Sequence, residues 1–191
     1  MAPNERPLTA EDLAAIAAMH CACLPTSLPA VLGRGYVQHL YRYAVASATE
    51  VVFTEWRDST LAGVCVLTAA PATLGRRLLL RTPVLAFAPP AVGRIVRSLD
   101  WRFRSGSAAT LALGPEVVWL FTNPAIRRQG VAATLLRRVE RHLAGQGVPQ
   151  YRVQTEAGNR DALAFYAQQG FRRAGQRAAP KVTLDKPVPR D

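Results

Sequence analysis

The sequence predicts a mixed α/β sheet with helices on its faces. Three observations carry that expectation: apolar residues recur at helical spacing near the start, two β-rich runs flank a short polar link, and the second half alternates strand, helix, strand, helix, strand. A chain of 191 residues holds one domain with a sizeable core. Without an internal repeat or a linker-like stretch, 1–191 reads as a single domain.

Residues 5–8 are expected to form a short first strand. Thr9 followed by Asp12 marks a helix start, the hydroxyl capping a free amide and the acid facing the positive helix end. Leu13, Ile16, Ala17 and Cys21 follow at helical spacing. After a Pro-containing break at Leu24–Pro29, a second helix is expected over Ala30–Ala46, with Val31, Leu32, Tyr36, Val37, Leu40 and Tyr41 on its apolar side. Glu50–Trp56 and Leu61–Thr68 are joined by Arg57-Asp58-Ser59-Thr60, a hairpin pattern. Glu116–Thr122 is the next clear strand. Gly130–Ala144 is an amphipathic helix with Val131, Leu135, Val139 and Leu143 on one stripe, ended by Gly145-Gln146-Gly147. Tyr151–Glu156 is a strand, Arg160–Gln169 a helix stopped by Gly170, Phe171–Ala174 the start of the last strands and Lys181–Leu184 the final one.

Residues 70–112 fit this scheme least. They hold Arg76, Arg77, Arg81, Arg94, Arg97, Arg102 and Arg104 among leucines, prolines and Trp101. Two short basic, apolar helices inserted between strands are expected here. They form a lid over a binding site, a surface for anionic lipid through 76–104, or a packed excursion with arginine tips in water.

Composition excludes several classes. Apolar residues make up 49% and charged ones 19%, ordinary for a globular protein. No apolar run reaches the roughly 18 residues of a membrane span. The opening MAPNERPLTAEDL has an early acid and no apolar core, so no secretory signal is read and the cytoplasm is the expected location. Cys21, Cys23 and Cys65 are odd in number and irregular in spacing, which argues against a disulfide framework and against zinc. The three histidines are scattered, and no metal is expected. A net charge of +11 permits an anionic partner or is simply a solvated basic surface. It comes without an RNA-binding aromatic signature or a zinc finger, and no nucleic acid is expected.

The informative segment runs from Leu120, Phe121 and Thr122 through Asn123 and Pro124 to Arg127, Arg128, Gln129, Gly130, Val131, Ala132 and Ala133. A strand ends, a short loop follows, and a helix begins at a glycine. The first amides of a helix have no internal partner and carry its partial positive charge, so this junction is an anion site. Gly130 lets a phosphate approach the backbone, and the two arginines add charge-assisted donors. A Walker loop is excluded because no Gly-Lys-Ser/Thr ending is present, and the dinucleotide fingerprint because its other glycines are missing.

Arg127-x-x-Gly130-x-Ala132 resembles the pyrophosphate motif of the GNAT superfamily of acyl-CoA N-acyltransferases. A second stretch, Asn159-x-x-Ala162-x-x-Phe165-Tyr166-x-x-x-Gly170-Phe171, looks like the family's later helix at the usual distance. The likeness extends to the opening Arg6–Leu13 and the hairpin and is poor across 70–112. It implies a mostly antiparallel central sheet splayed at its fourth strand, where a bulge parts it from a neighbour. It implies acetyl-CoA as donor, its pantetheine arm along Leu120–Thr122 and its pyrophosphate on the amides of Arg128 to Ala133. Asn159 and Tyr166 then approach the cofactor's far end. Monomers and homodimers both fit.

Acyl transfer to an amine needs a base, oxyanion support and a proton for the leaving thiolate. An alkyl amine of pKa ~10.4 is almost all ammonium at neutral pH, and a carboxylate takes its proton directly or through water. By resemblance Tyr166 is the general acid; the alternative is a core tyrosine beside Leu163. Asn159 caps its helix, contacts cofactor, or both. Glu116 falls on the strand position of the catalytic glutamate in the histone-acetylating branch. The branch acting on protein N-termini has a glutamate twelve residues before the tyrosine, where this chain has Gln154, which cannot be a base. Glu116, Glu156 and a water chain remain as candidate bases. Arg128 stands where the family most often has glycine.

The expected acceptor is a primary amine of a small molecule or protein. With only thirteen acids, the chain favours a neutral or anionic acceptor such as an amino sugar, an amino acid or a small metabolite amine. The rival readings are a non-catalytic acyl-CoA-binding module and a basic binder of lipid or nucleic acid.

Overall fold

The computed structural model describes residues 6–82, 114–174 and 180–189. Its elements follow in chain order as α1 (Ala10–Cys23), α2 (Leu28–Val31), α3 (Arg34–Ala46), β1 (Glu50–Arg57), β2 (Thr60–Thr68), α4 (Pro71–Arg81), β3 (Glu116–Thr122), a 3-10 turn (Pro124–Ile126), α5 (Val131–Ala144), β4 (Gln150–Glu156), α6 (Arg160–Gln168), β5 (Arg172–Arg173) and β6 (Lys181–Pro187). The sheet order is β1-β2-β3-β4-β6-β5, antiparallel at every ladder except β3 with β4.

Local chemistry accounts for the element ends. Thr9 and Asp12 form a reciprocal capping box at the start of α1. The hairpin closes with Arg57 opposite Thr60, and Asp58 and Ser59 both take positive φ (45° and 63°). This is the primed turn whose twist matches the flanking strands.

Three expectations are corrected. Residues 6–8 join no ladder. Pro7 has no N–H to give one, and Arg6 instead makes a two-pronged bond to Asp12, Nη1 to Oδ2 at 2.5 Å and Nη2 to Oδ1 at 2.9 Å. The helix expected over Ala30–Ala46 is two helices, because Gly33 at φ 97° cannot continue an α-turn. The last strand reaches Pro187 rather than Leu184. Of the basic insertion, Pro71–Arg81 is helical and exposes Leu79 and Leu80, while Arg94, Arg97, Trp101, Arg102 and Arg104 lie outside the described residues. The base of α4 is tied to the sheet by Arg77, which donates to Glu50 and, at 3.1 Å, to Thr68 Oγ1.

Each face of the sheet has its own core. On one, α5 and α6 cover Phe53, Cys65, Leu67, Val117, Val153 and Leu184. The expected stripe Val131, Leu135, Val139 and Leu143 is buried there throughout. On the other, α1 and α3 cover Val52, Val64, Val66 and Phe121. No described helix is long and apolar enough to cross a membrane.

Candidate functional site

The site lies where β3 parts from β4. The two strands pair at only two positions, Glu116 with Arg152 and Val117 with Val153. From residue 118 onward β3 has no ladder partner on that side among the described residues, so its backbone there is left to bind something else. On its other side β3 pairs with β2, with a register shift between Val66 and Leu67 that leaves Val118 as an extra residue. This is a β-bulge, and it inverts the alternation of side chains. Val117 packs with the α5–α6 core and Phe121 with the α1–α3 core, although two residues an even number apart share a face in a regular strand. The splay falls on Glu116–Thr122, the strand the resemblance implied, but this strand is third rather than fourth among the described residues, and the bulge lies on its β2 side rather than on the side that parts.

The loop after β3 is pinned at several points. Asn123 donates its amide to Ala62 O at 2.9 Å, and its Oδ1 accepts from Ala125 N at 3.0 Å, which starts the 3-10 turn at Pro124. Arg57 of the hairpin donates to Gln129 O at 3.4 Å. Gly130 then takes the left-handed conformation (φ 76°, ψ 2°) and begins α5. The first bond within the helix runs from Thr134 N–H to Gly130 O at 2.9 Å, so no helical carbonyl reaches the amides of Val131, Ala132 and Ala133. A Cβ at Gly130 would meet nothing within 4 Å, so the space above these amides is open. Arg127, Arg128 and Gln129 are exposed around it, and Arg128 holds φ 60°, a strained conformation for a residue with a side chain. Open space, unpaired amides and two arginines fit a diphosphate, and the free side of Leu120, Phe121 and Thr122 fits an amide-bearing chain.

What brings α5 close enough is Gly63 of β2. A Cβ there would stand 2.7 Å from Val131 Cγ1, 3.0 Å from Leu135 Cδ1 and 3.3 Å from Phe121 O. Sequence reasoning passed over this residue, although a lone glycine inside a strand run signals close approach. It also passed over Cys23, whose thiol donates to Thr122 O at 3.5 Å. Burial raises that thiol's pKa, and the nearby Arg127 opposes the rise.

Tyr166 is buried at 8% exposure, in edge contact with Phe171 and tilted against Phe165. Burial pushes its phenol well above the usual tyrosine range, so the proton stays on at neutral pH. Asn159 is exposed and caps α6, its Oδ1 accepting from Ala162 N at 3.1 Å. Glu116 is half-buried and accepts from Gln154 Nε2 at 3.3 Å. Burial raises its carboxyl pKa, opposed chiefly by Arg152. Val117 shares the core of Tyr166, so Glu116, its immediate neighbour, faces the other side of the sheet. The two candidate groups can therefore act on one molecule only across the gap between β3 and β4. Glu156 is exposed at the end of β4.

Known proteins bear on this arrangement. Residues 105–171 match the model of the Acetyltransferase (GNAT) family. Among solved structures, the chain resembles the PaiA N-acetyltransferase of Thermoplasma acidophilum in complex with coenzyme A, at 14% identity and TM-score 0.58 over 95% of this chain and 96% of that one. It resembles an acetyltransferase of Thermus thermophilus at 14% identity and TM-score 0.62, over 95% and 94%. The ribosomal-protein-S18-alanine N-acetyltransferase of Escherichia coli aligns at 13% identity and TM-score 0.58, over 96% and 92%. No curated protein matches by sequence.

Proposed function

We propose that the chain is a GNAT-superfamily protein, on its matched segment and its fold, and that it is an acetyl-CoA-dependent N-acetyltransferase. One observation carries the reading: an open, left-handed glycine with unpaired helix amides stands beside the unpaired side of a splayed strand. That combination offers anion donors at one end and backbone pairing at the other, as a diphosphate on a pantetheine arm requires. The coenzyme A complex of the Thermoplasma relative supports the choice of donor. In this reading the whole of 1–191 forms one cytoplasmic acyltransferase domain that needs no metal.

Acetyl-CoA supplies an activated thioester when bound. Val131, Ala132 and Ala133 donate amides to its diphosphate, joined by Arg127 and Arg128, while Leu120–Thr122 orient the arm. Glu116 takes a proton from the acceptor ammonium, directly or through a water, and its raised pKa makes it a better base than an exposed glutamate. Tyr166 faces a different balance. Its phenol is a weaker acid than a thiol of pKa ~8.5, so full transfer to the leaving thiolate runs uphill. Its contribution is a hydrogen bond that steadies the sulfur's charge until solvent delivers the proton. In sum the amine nitrogen bonds to the acyl carbon, the carbon–sulfur bond breaks, the ammonium gives up two protons, one to Glu116 and one to solvent, and one proton reaches the thiolate.

Calorimetry with coenzyme A and thiol release from acetyl-CoA across an amine panel test the proposal. Micromolar coenzyme A binding with amine-dependent thiol release is expected. Absence of binding overturns the reading, and binding without turnover of any amine favours an acyl-CoA-binding module instead.

A further inference from the structure

On the sheet face that carries Glu116, a second group of polar side chains has no part in the phosphate cradle. Arg152 of β4 lies beside Glu116 in one ladder and opposite Asp185 of β6 in the other. Arg152 is only 5% exposed, yet its Nε–H donates to no acceptor. Asp185 Oδ1 is likewise buried and accepts no hydrogen bond. Their nearest approach, Arg152 Nη2 to Asp185 Oδ1 at 3.7 Å, is an ion pair too long for a hydrogen bond. Leaving a buried donor and a buried acceptor unmet is costly, and such pairs in folded proteins ordinarily meet a ligand or a fixed water. Here the unmet donor is cationic, the unmet acceptor is anionic, and a candidate base stands on the adjoining strand, about 4.8 Å away in the hydrogen-bonding direction.

We propose that this group binds the amine acceptor at two points and that the acceptor is zwitterionic: a small amino-acid-like molecule carrying both the reacting amine and a carboxylate. The inference rests on the acyltransferase reading of the neighbouring gap. The carboxylate accepts from Arg152 Nε–H, a charge-assisted bond that a guanidinium edge is shaped to make. The ammonium faces Asp185 Oδ1 and Glu116. Glu116 removes one ammonium proton, the freed nitrogen bonds to the acyl carbon and gives up a second proton to solvent, and the carbon–sulfur bond breaks, releasing a thiolate that solvent protonates. A diamine would set its second ammonium against Arg152. A plain alkylamine would leave the buried Nε–H unmet, the kind of mismatch that sites built on hydrogen bonds reject most strongly.

The test compares matched acceptors: a panel of L-amino acids against their decarboxylated amines and their methyl esters. Thiol release from acetyl-CoA is followed for wild type, Arg152→Gln and Arg152→Lys, with calorimetry of coenzyme A in parallel. The expected result is a preference of about 100-fold or more in kcat/KM for the free carboxylate. Arg152→Gln should shrink that preference to within about tenfold through KM for the acceptor, and Arg152→Lys should restore part of it. Coenzyme A affinity should stay within about twofold in both. Should Arg152→Gln fail to fold, Asp185→Asn is the substitute, expected to raise the acceptor KM with the fold intact. Turnover of amines and amino acids alike, or of plain amines alone, overturns the zwitterion assignment and leaves the acyltransferase reading standing. Coenzyme A binding without turnover of any zwitterion also overturns the assignment. Absence of both binding and turnover removes the acyltransferase reading, and this inference with it.

Discussion

Gly63→Ala is the most informative single change, because it strikes the cradle without touching it. An added Cβ meets Val131 Cγ1 at 2.7 Å and Leu135 Cδ1 at 3.0 Å, where carbon pairs rest at about 3.5–4.0 Å. Neither neighbour yields easily. Val131 is β-branched and holds one rotamer in a helix, and Leu135 is fully buried. Turning aside toward Phe121 O, 3.3 Å away, is closed by backbone. The start of α5 must therefore move outward by roughly 1 Å, carrying Gly130 and the amides of Val131, Ala132 and Ala133 with it. Overpacking of this kind costs about 1–3 kcal/mol. At this chain length 1 kcal/mol is about 2–4 °C of melting temperature, so a fall of about 4–8 °C is expected for the middle of that range. Loss of about one charge-assisted bond to the ligand should weaken coenzyme A roughly tenfold. Differential scanning calorimetry and titration calorimetry read the two effects. Gly63→Ala with Val131→Ala supplies the control, since removing Cγ1 should recover most of the coenzyme A affinity that the single change loses. An unchanged melting temperature and affinity in the single variant would refute the claim that this glycine sets the position of α5.

Three further outcomes are expected. Tyr166→Phe should lower kcat by about 100-fold while KM for acetyl-CoA stays nearly fixed, and unchanged turnover would reduce Tyr166 to a core residue. Glu116→Gln should slow turnover and abolish the acidic limb of the rate profile. Because burial raises the folded carboxyl pKa, the folded state holds the proton more tightly than the unfolded one, and stability falls as pH rises through that window. The same variant should therefore melt higher at pH 8 than wild type, and a lower melting point would contradict the sign. His20 is fully buried between Tyr41 OH at 2.9 Å and Ser27 Oγ at 3.0 Å, and burial pushes its pKa down to about 4. The unfolded chain takes up that proton first, so stability should drop as pH falls from about 6.5 toward 4. In His20→Gln, melting temperature against pH should flatten across that window, and an unchanged slope would assign it to other groups.

Much of the architecture was readable as written. Helix α5 announces itself through Val131, Leu135, Val139 and Leu143, all buried, and the hairpin through two β-rich runs and a four-residue link. The junction around Gly130 was readable too, since a helix beginning at a glycine after a strand leaves the same amides unpaired in any fold. These features are local: hydrogen-bond partners within a few residues decide them.

Tertiary structure decided the remainder. The bulge at Val118 exists only relative to β2, and it sends Val117 and Phe121 to opposite faces that period-two counting would have merged. Of the strand foreseen at 5–8, residues 6–8 join no ladder, and Arg6 pairs with Asp12 of α1 instead. Arg152, Asp185 and Glu116 lie far apart in the chain and meet only through the register of β4 with β3 and β6. Strand pairing is a relation between segments, so no pattern within one segment encodes it. The sequence thus determined which helix amides stand unpaired at Gly130, and only the assembled sheet determined which side chains gather beside Glu116.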